Sequence, residues 1–165
     1  MKRVLPLVLV VFAAFAGCDF KVPLVDTPEL PIDKAVIGLW ERAKAPGETE
    51  RLLVLPLSPR EYLVSFIGSD GDRLYARACH CTVAHIRLVQ LKWFGTSAGK
   101  VPDDDRVYQF ASYSVSGDNL RVRMLNTNVV DPEASSPSAL AHAIGEAQQN
   151  VALFREEIAF KKVKN

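Results

Sequence analysis

Short apolar runs separated by turn residues recur along the chain from residue 35 onward. Seven runs follow one another, and an eighth lies near the C-terminus: 35–43, 51–57, 60–67, 73–82, 85–94, 106–115, 119–125 and 157–163. Runs of this length and spacing are typical of a meandering antiparallel sheet. We predict a mainly β domain forming a small barrel or a strongly curved sheet. The eighth run is either a frayed helix end or, as we favour, a strand that closes the sheet.

Two connections carry tight-turn signals. Asp70-Gly71 separates the third and fourth runs, and Gly117-Asp118 separates the sixth and seventh. Glycine adopts the positive φ that two-residue hairpin turns require, so both pairs of runs are predicted to be antiparallel hairpins.

One segment has helical rather than strand periodicity. Apolar residues recur there at i, i+3, i+4 and i+7: Leu140, Ala143, Ile144 and Ala147. Ser136-Pro137 precedes them, and this pair suits the N-cap and first turn of a helix. The pattern predicts one amphipathic helix over about residues 137–149.

The first 17 residues have the pattern of a signal peptide. Lys2 and Arg3 precede an apolar stretch at 4–17, which is shorter than the roughly 20 residues needed to cross a bilayer. Alternatives are an ordinary signal peptide cut near Ala16, or a buried apolar N-terminus.

The end of this stretch, Phe15-Ala16-Gly17-Cys18, resembles the lipobox of bacterial lipoproteins, although Phe15 stands where Leu is usual. The resemblance implies that a lipid is attached to Cys18, that the chain is cut before it, and that the new N-terminus is acylated. The protein would then be anchored in a bacterial cell membrane and face the periplasm. Asp19 resembles a signal for retention in the inner membrane.

Residues 18–34 are predicted to be the lipidated N-terminus and a spacer, ahead of a single domain at 35–165. Three prolines recur in this segment without any sustained period: Pro23, Pro28 and Pro31. Such a segment is typical of an extended spacer. The alternative is that its apolar residues pack along the domain: Leu24, Val25 and Leu30.

Composition restricts the function classes. The chain has 165 residues with 20 Lys+Arg and 19 Asp+Glu, and removal of 1–17 would leave 148 residues, enough for one domain. The balanced charge argues against a nucleic-acid binder. Three cysteines are too few for a disulfide scaffold.

Gly38-Leu39-Trp40 on the first predicted strand resembles the lipocalin and wider calycin pattern, in which Trp closes one end of a barrel. The aromatic and turn residues of 108–120, followed by a loop and a Ser-capped helix, resemble a group of uncharacterised bacterial lipoproteins. These resemblances imply a fold, with Gly38 and Trp40 as structural residues, and no activity. A barrel with a cavity would suit a small apolar ligand.

Cys79-His80-Cys81 is the segment with the most chemical potential. Together with His85, these residues are candidate ligands for zinc or copper. On a regular strand, however, the two thiols face one side and His80 faces the other. Only a bulge would bring them together, and the alternative is two half-buried structural thiols.

Gly95 to Gly99 matches the G-x-S-x-G pattern of a nucleophile elbow, centred on Ser97. The elbow needs a helix directly after the serine, and Pro102 with three aspartates follows instead. We predict no catalytic residues, no cofactor and no resident metal.

The sequence thus indicates a non-enzymatic, lipid-anchored binding or accessory module of the cell envelope. Its partners would be the membrane and either a small apolar ligand or an envelope protein. The alternatives are a partner-binding lipoprotein without a cavity, and a metal or redox protein using Cys79, His80 and Cys81.

Overall fold

A computed structural model of the protein describes residues 19–164, which form a closed antiparallel barrel of eight strands. The strands are β1 (Gly38–Ala45), β2 (Glu48–Ser58), β3 (Glu61–Ile67), β4 (Arg73–Val83), β5 (Ile86–Thr96), β6 (Tyr108–Ser116), β7 (Asn119–Met124) and β8 (Ile158–Lys162). The mainly β prediction is confirmed, and the sheet is a barrel rather than an open curve. Signal peptide, lipobox and Cys18 lie outside the described residues.

Each strand pairs with the next, and β1 pairs with β8 to close the ring. This seam is short, with the register pairs Trp40–Lys162 and Glu41–Lys161. The Val163 N–H extends it by donating to the Leu39 carbonyl at 2.9 Å. The Lys162 ammonium also lies 5.0 Å from the Trp40 ring centroid, in a cation–π contact.

Strand alternation separates the interior of the barrel from its outer wall. Successive side chains of a strand point to opposite faces, so every second residue enters the lumen. The tight turns conform to their sequence signals, because Gly71 and Gly117 have φ of 86° and 56°. Two β-hairpins therefore form where the turn residues predict them.

The single α-helix of the described chain, α1 (Pro137–Glu146), packs on the outer wall. Ser136 is its N-cap and its Oγ accepts from the Ala139 N–H at 3.1 Å. Leu140 and Ile144 are fully buried in an outer apolar cluster that also contains Leu88 of β5. The helix ends before residue 149 because the exposed polar residues after Ala147 have no apolar face to bury.

Residues 19–36, here called the N-terminal segment, lie along the barrel. Phe20 pairs with Tyr108 and is fully buried in the outer cluster. The backbone N–H groups of Leu24 and Val25 donate to Gln90 Oε1 at 2.6 and 3.1 Å. Packing along the domain, one of the two alternatives for this segment, therefore describes these residues.

The N-terminal segment ends in a short 3-10 helix, η1 (Lys34–Val36), beside β1. The Ile32 N–H donates to the Pro59 carbonyl in the β2–β3 turn at 3.1 Å. The segment thus runs from β6 to the end of the barrel where that turn lies. Within the described residues, no helix is long and apolar enough to cross a membrane.

Candidate functional site

The interior of the barrel contains an apolar cavity of about 70 Å³, here called the lumen. Side chains from most strands form its wall, including Leu52, Val64, Leu91, Trp93, Val122 and Phe160. None of the described residues that line it carries a charge. The lumen therefore suits apolar groups rather than ions.

The size of the lumen limits what it can hold. A cavity volume of ~10–15 Å³ is enough for one water-sized body, so the 70 Å³ of the lumen has room for about five such bodies. Apolar cavities of this kind stay dry and bind small apolar molecules, because water finds no partners in them. A short hydrocarbon segment fits this description.

One end of the lumen, the floor, is closed by four side chains, here called the floor cluster: Asp33, Tyr62, His80 and Tyr113. His80 Nε2 lies 3.0 Å from the Tyr113 hydroxyl, and that hydroxyl donates to Asp33 Oδ2 at 3.0 Å. His80 is almost fully buried, and its ring lies 5.9 Å from that of Tyr113 in a stacked arrangement. The four side chains form one connected network.

The hydrogen-bond partners assign the hydrogen positions of His80. Nδ1 lies 3.0 Å from the Pro31 carbonyl, which can only accept, so Nδ1 carries a hydrogen. Nε2 lies 3.0 Å from the Tyr113 hydroxyl and 3.5 Å from the Tyr62 hydroxyl. Both ring nitrogens of His80 therefore have hydrogen-bond partners.

Both tyrosine hydroxyls stay protonated well above neutral pH, because burial raises their pKa values above the ordinary 10.0. Burial raises the pKa of Tyr113, and the neighbouring Tyr62 and Asp33 raise this pKa further. Burial likewise raises the pKa of Tyr62, partly offset by its hydrogen bond with the Asp33 backbone. Both residues therefore act as hydrogen-bond donors.

The floor cluster fixes the N-terminal segment to the barrel. Asp33 caps η1, since its Oδ1 accepts from the Ala35 N–H at 2.9 Å. Two bonds from the cluster thus hold Pro31 and Asp33 across the end of the lumen. Trp40, fully buried, donates from Nε1 to the Val36 carbonyl at 2.8 Å on the same side.

The opposite end of the lumen, the upper end, lies four positions away along β6, roughly 13 Å from Tyr113. Here Trp93 Nε1 donates to Gln109 Oε1 at 2.8 Å. The Gln109 side chain also bonds to the Asp19 carboxylate, which Arg155 approaches at 3.6 Å. Burial raises the pKa of Asp19, and Arg155 and Gln109 partly offset this.

A buried ion pair of β1 and β2 lies inside the barrel beside the lumen, because Arg42 and Glu50 have the same strand phase as the inward residues Trp40 and Leu52. Glu50 Oε2 accepts from Arg42 Nε at 2.7 Å, and Lys44 approaches Glu50 at 3.3 Å. The Arg42 guanidinium lies 5.5 Å from the ring centroid of Phe160, which lines the lumen. The pair is satisfied within itself and leaves the lumen apolar.

The metal-ligand candidates do not converge. Cys79 and Cys81 are buried on the outer side of β4, whereas His80 enters the floor cluster. His85 is exposed in the β4–β5 turn with φ of 68°. Among the described residues, no group of three or more His, Cys, Asp or Glu side chains is placed to hold a metal. Burial raises the pKa of Cys79 to about 11 and of Cys81 to about 12.

Ser97 serves a turn rather than an elbow. Its Oγ donates to Asp72 Oδ1 at 2.8 Å and accepts from the Arg73 N–H at 3.1 Å. The loop that follows leads to β6 without a helix. Ser97 therefore joins the β3–β4 turn to the loop after β5.

The sequence pattern missed the floor cluster as a unit. His80 has the same phase as Ala76 and Ala78, which lie inside the barrel. A polar residue at an inward position was the available signal for a buried hydrogen-bonded group. Asp33 carried no such signal, because it precedes the first strand.

Comparison with protein-family models, with curated proteins and with solved structures gives no match for this chain. The fold and the lumen together define the protein as a closed eight-stranded barrel with an apolar interior.

Replacing Tyr113 with Phe tests the floor cluster. The change removes the hydroxyl between His80 and Asp33 and leaves buried polar groups unpaired, so we expect a loss of about 1–3 kcal/mol in the free energy of unfolding. Urea denaturation measures it. The control is Tyr75→Phe, because Tyr75 stacks on Phe94 on the outer wall and does not belong to the floor cluster. Equal stability losses in both variants would contradict a special role for the cluster.

Thiol alkylation tests the burial of the two cysteines of β4. Because the pKa values of Cys79 and Cys81 lie above the ordinary 9.0, the folded state favours the protonated thiols. Their contribution to stability is present below about pH 9 and is lost as the pH rises toward 11–12.

We expect iodoacetamide to modify these cysteines much more slowly in the native protein than in urea at pH 8, as followed by peptide mass spectrometry. Similar rates in both states would show that the thiols are accessible.

Proposed function

We propose that this protein is a lipid-anchored lipoprotein of the bacterial cell envelope whose barrel binds a small apolar ligand without catalysing a reaction. The observation that carries the binding role is the apolar lumen, closed at its floor by a hydrogen-bonded cluster. A hydrogen-bonded floor beneath an unfilled apolar interior is a preformed site of the kind that ligands occupy.

The anchor is supported by the sequence before the barrel. Lys2 and Arg3, the apolar stretch and Cys18 occur in the order that lipoprotein precursors have. Asp19, which favours the inner membrane by resemblance, also has a structural task, since it bonds to Gln109 and approaches Arg155. Because Asp19 has this structural role, its presence is weaker support for retention in the inner membrane.

The packing of the N-terminal segment determines how such an anchor would work. Phe20 is fully buried on β6, so Cys18 is two residues away from a fixed point on the barrel. A lipid on Cys18 would therefore hold the domain directly against the bilayer.

A second candidate function is binding of an envelope protein by the outer wall. Leu55 and Phe94 are 39% and 46% exposed on β2 and β5, and Leu57 is 48% exposed. Phe94 stacks on Tyr75, with ring centroids 6.2 Å apart. Leu55 and Leu57 lie together on β2, whereas Phe94 lies three strands away on β5. Exposed apolar side chains of this kind are candidates for an interaction surface.

Metabolic labelling with a radioactive fatty acid tests the anchor. We expect the wild-type chain, made in a bacterium, to carry label and to remain with the membrane fraction, whereas Cys18→Ala carries none. Cys79→Ala is the matched control, because Cys79 is buried in the barrel and would not be acylated. Equal label in wild type and Cys18→Ala would refute lipidation at Cys18.

Quenching of tryptophan fluorescence by 1-bromohexane tests the lumen. Trp93 lines the cavity, so we expect saturable quenching in the unlipidated Cys18→Ala protein. Adding Ala111→Leu fills the lumen and should abolish saturation, whereas adding Ala159→Leu, on the exposed face of β8, should not.

Ala78→Leu is a second lumen-filling variant in case overpacking at Ala111 prevents folding. Unsaturable quenching in the protein with an unfilled lumen would argue against ligand binding there.

A further inference from the structure

The N-terminal segment contacts the lumen wall at the upper end as well as at the floor. The Asp19 carboxylate accepts a hydrogen bond from the Gln109 side chain, and Gln109 Oε1 accepts from Trp93 Nε1 at 2.8 Å. Gln109 and Trp93 both line the lumen. Two hydrogen bonds therefore connect Asp19 to the lumen wall.

At the upper end of the lumen, the N-terminal segment takes the place of β7 beside the start of β6. β6 pairs with β7 from Ala111 onward, and before that Tyr108 pairs with Phe20 of the N-terminal segment. Phe20 packs in the outer cluster, so strand alternation directs its neighbour Asp19 toward the lumen. Cys18 directly precedes Asp19 in the sequence, so a lipid attached to Cys18 would begin one residue from a side chain that faces the lumen.

The chemistry of the lumen selects an alkyl chain. Its described lining carries no charge, and its floor hydroxyls are already bonded within the floor cluster. An alkyl chain needs no hydrogen-bond partner and gains dispersion contacts from an unfilled apolar cavity. Room for about five water-sized bodies corresponds to a stretch of a chain rather than to a bulky ring system.

We propose that the lumen holds part of an acyl chain carried by Cys18 of the same molecule. This inference rests on the proposed lipidation of Cys18. Because chain and lumen are joined covalently, the effective concentration is about millimolar or higher even when no free ligand is present. Asp19, paired with Arg155, keeps the charge at the entrance while the chain passes into the apolar interior.

This arrangement links the lumen to membrane attachment. A lipoprotein is held by two or three chains, and a single chain binds a bilayer only marginally. Withdrawal of one chain into the lumen weakens the hold on the membrane. In a molecule that leaves the membrane, the same withdrawal keeps that chain out of water.

Photocrosslinking inside the intact lipoprotein tests the proposal. Bacteria expressing the full chain are fed a palmitic acid analogue that carries a diazirine in the chain and a terminal alkyne, and are then irradiated. Peptide mass spectrometry locates the adducts. We expect intramolecular adducts on β5 and β7, at lumen residues such as Leu91, Trp93 and Val122. Adducts confined to phospholipids, other proteins or the outer wall would overturn the inference.

Matched variants separate the possible failures. Ala111→Leu should reduce lumen adducts several-fold relative to Ala159→Leu, because only the former fills the cavity. If Ala111→Leu does not fold, the wild-type adduct map decides alone. Label that does not depend on Cys18 refutes the anchor and the inference with it. Label that depends on Cys18 without lumen adducts refutes the inference and leaves the anchor intact.

Discussion

The pairing of the first strand with the last is the constraint on which this structure depends. An open sheet of eight strands would leave two rows of unpaired backbone groups, and closure removes both. The seam between β1 and β8 has few register pairs, so side chains reinforce it: Lys162 lies over Trp40 and Arg42 lies over Phe160. In a closed barrel, alternate residues of each strand point to the interior or to the outer wall. Strands with apolar residues at every second position therefore enclose an apolar lumen.

The N-terminal segment supplies what the barrel lacks at its ends and on part of its wall. It covers the outer cluster together with α1, replaces β7 beside the start of β6, and lies across the floor. A buried polar network at the floor is costly unless every member is paired. Pro31 and Asp33 complete the pairing of His80 and Tyr113, so the barrel and the segment stabilise each other.

The strands could be predicted from the sequence because each is a local pattern of apolar residues between turn residues. Ser136 and Pro137 likewise indicated the start of the helix. The volume of the lumen could not be predicted from the sequence, because it depends on how side chains from all the strands pack together. The floor cluster joins Asp33 to Tyr113 across 80 positions, a pairing that depends on barrel closure rather than on any motif. We considered His80 a metal ligand because Cys79 and Cys81 flank it in the sequence. In the structure, its side chain contacts two tyrosines instead.

The route of the N-terminal segment has a consequence for the order of assembly. Its partners lie far along the chain: Leu24 bonds to Gln90 across 66 positions. We expect contacts of such separation to form late in folding, because closing a long loop costs chain entropy before the contact is gained. Until β5 and β6 are in place, the segment has nothing to bind and the barrel interior is open at both ends. The residues that leave the ribosome early are therefore among the last to be fixed.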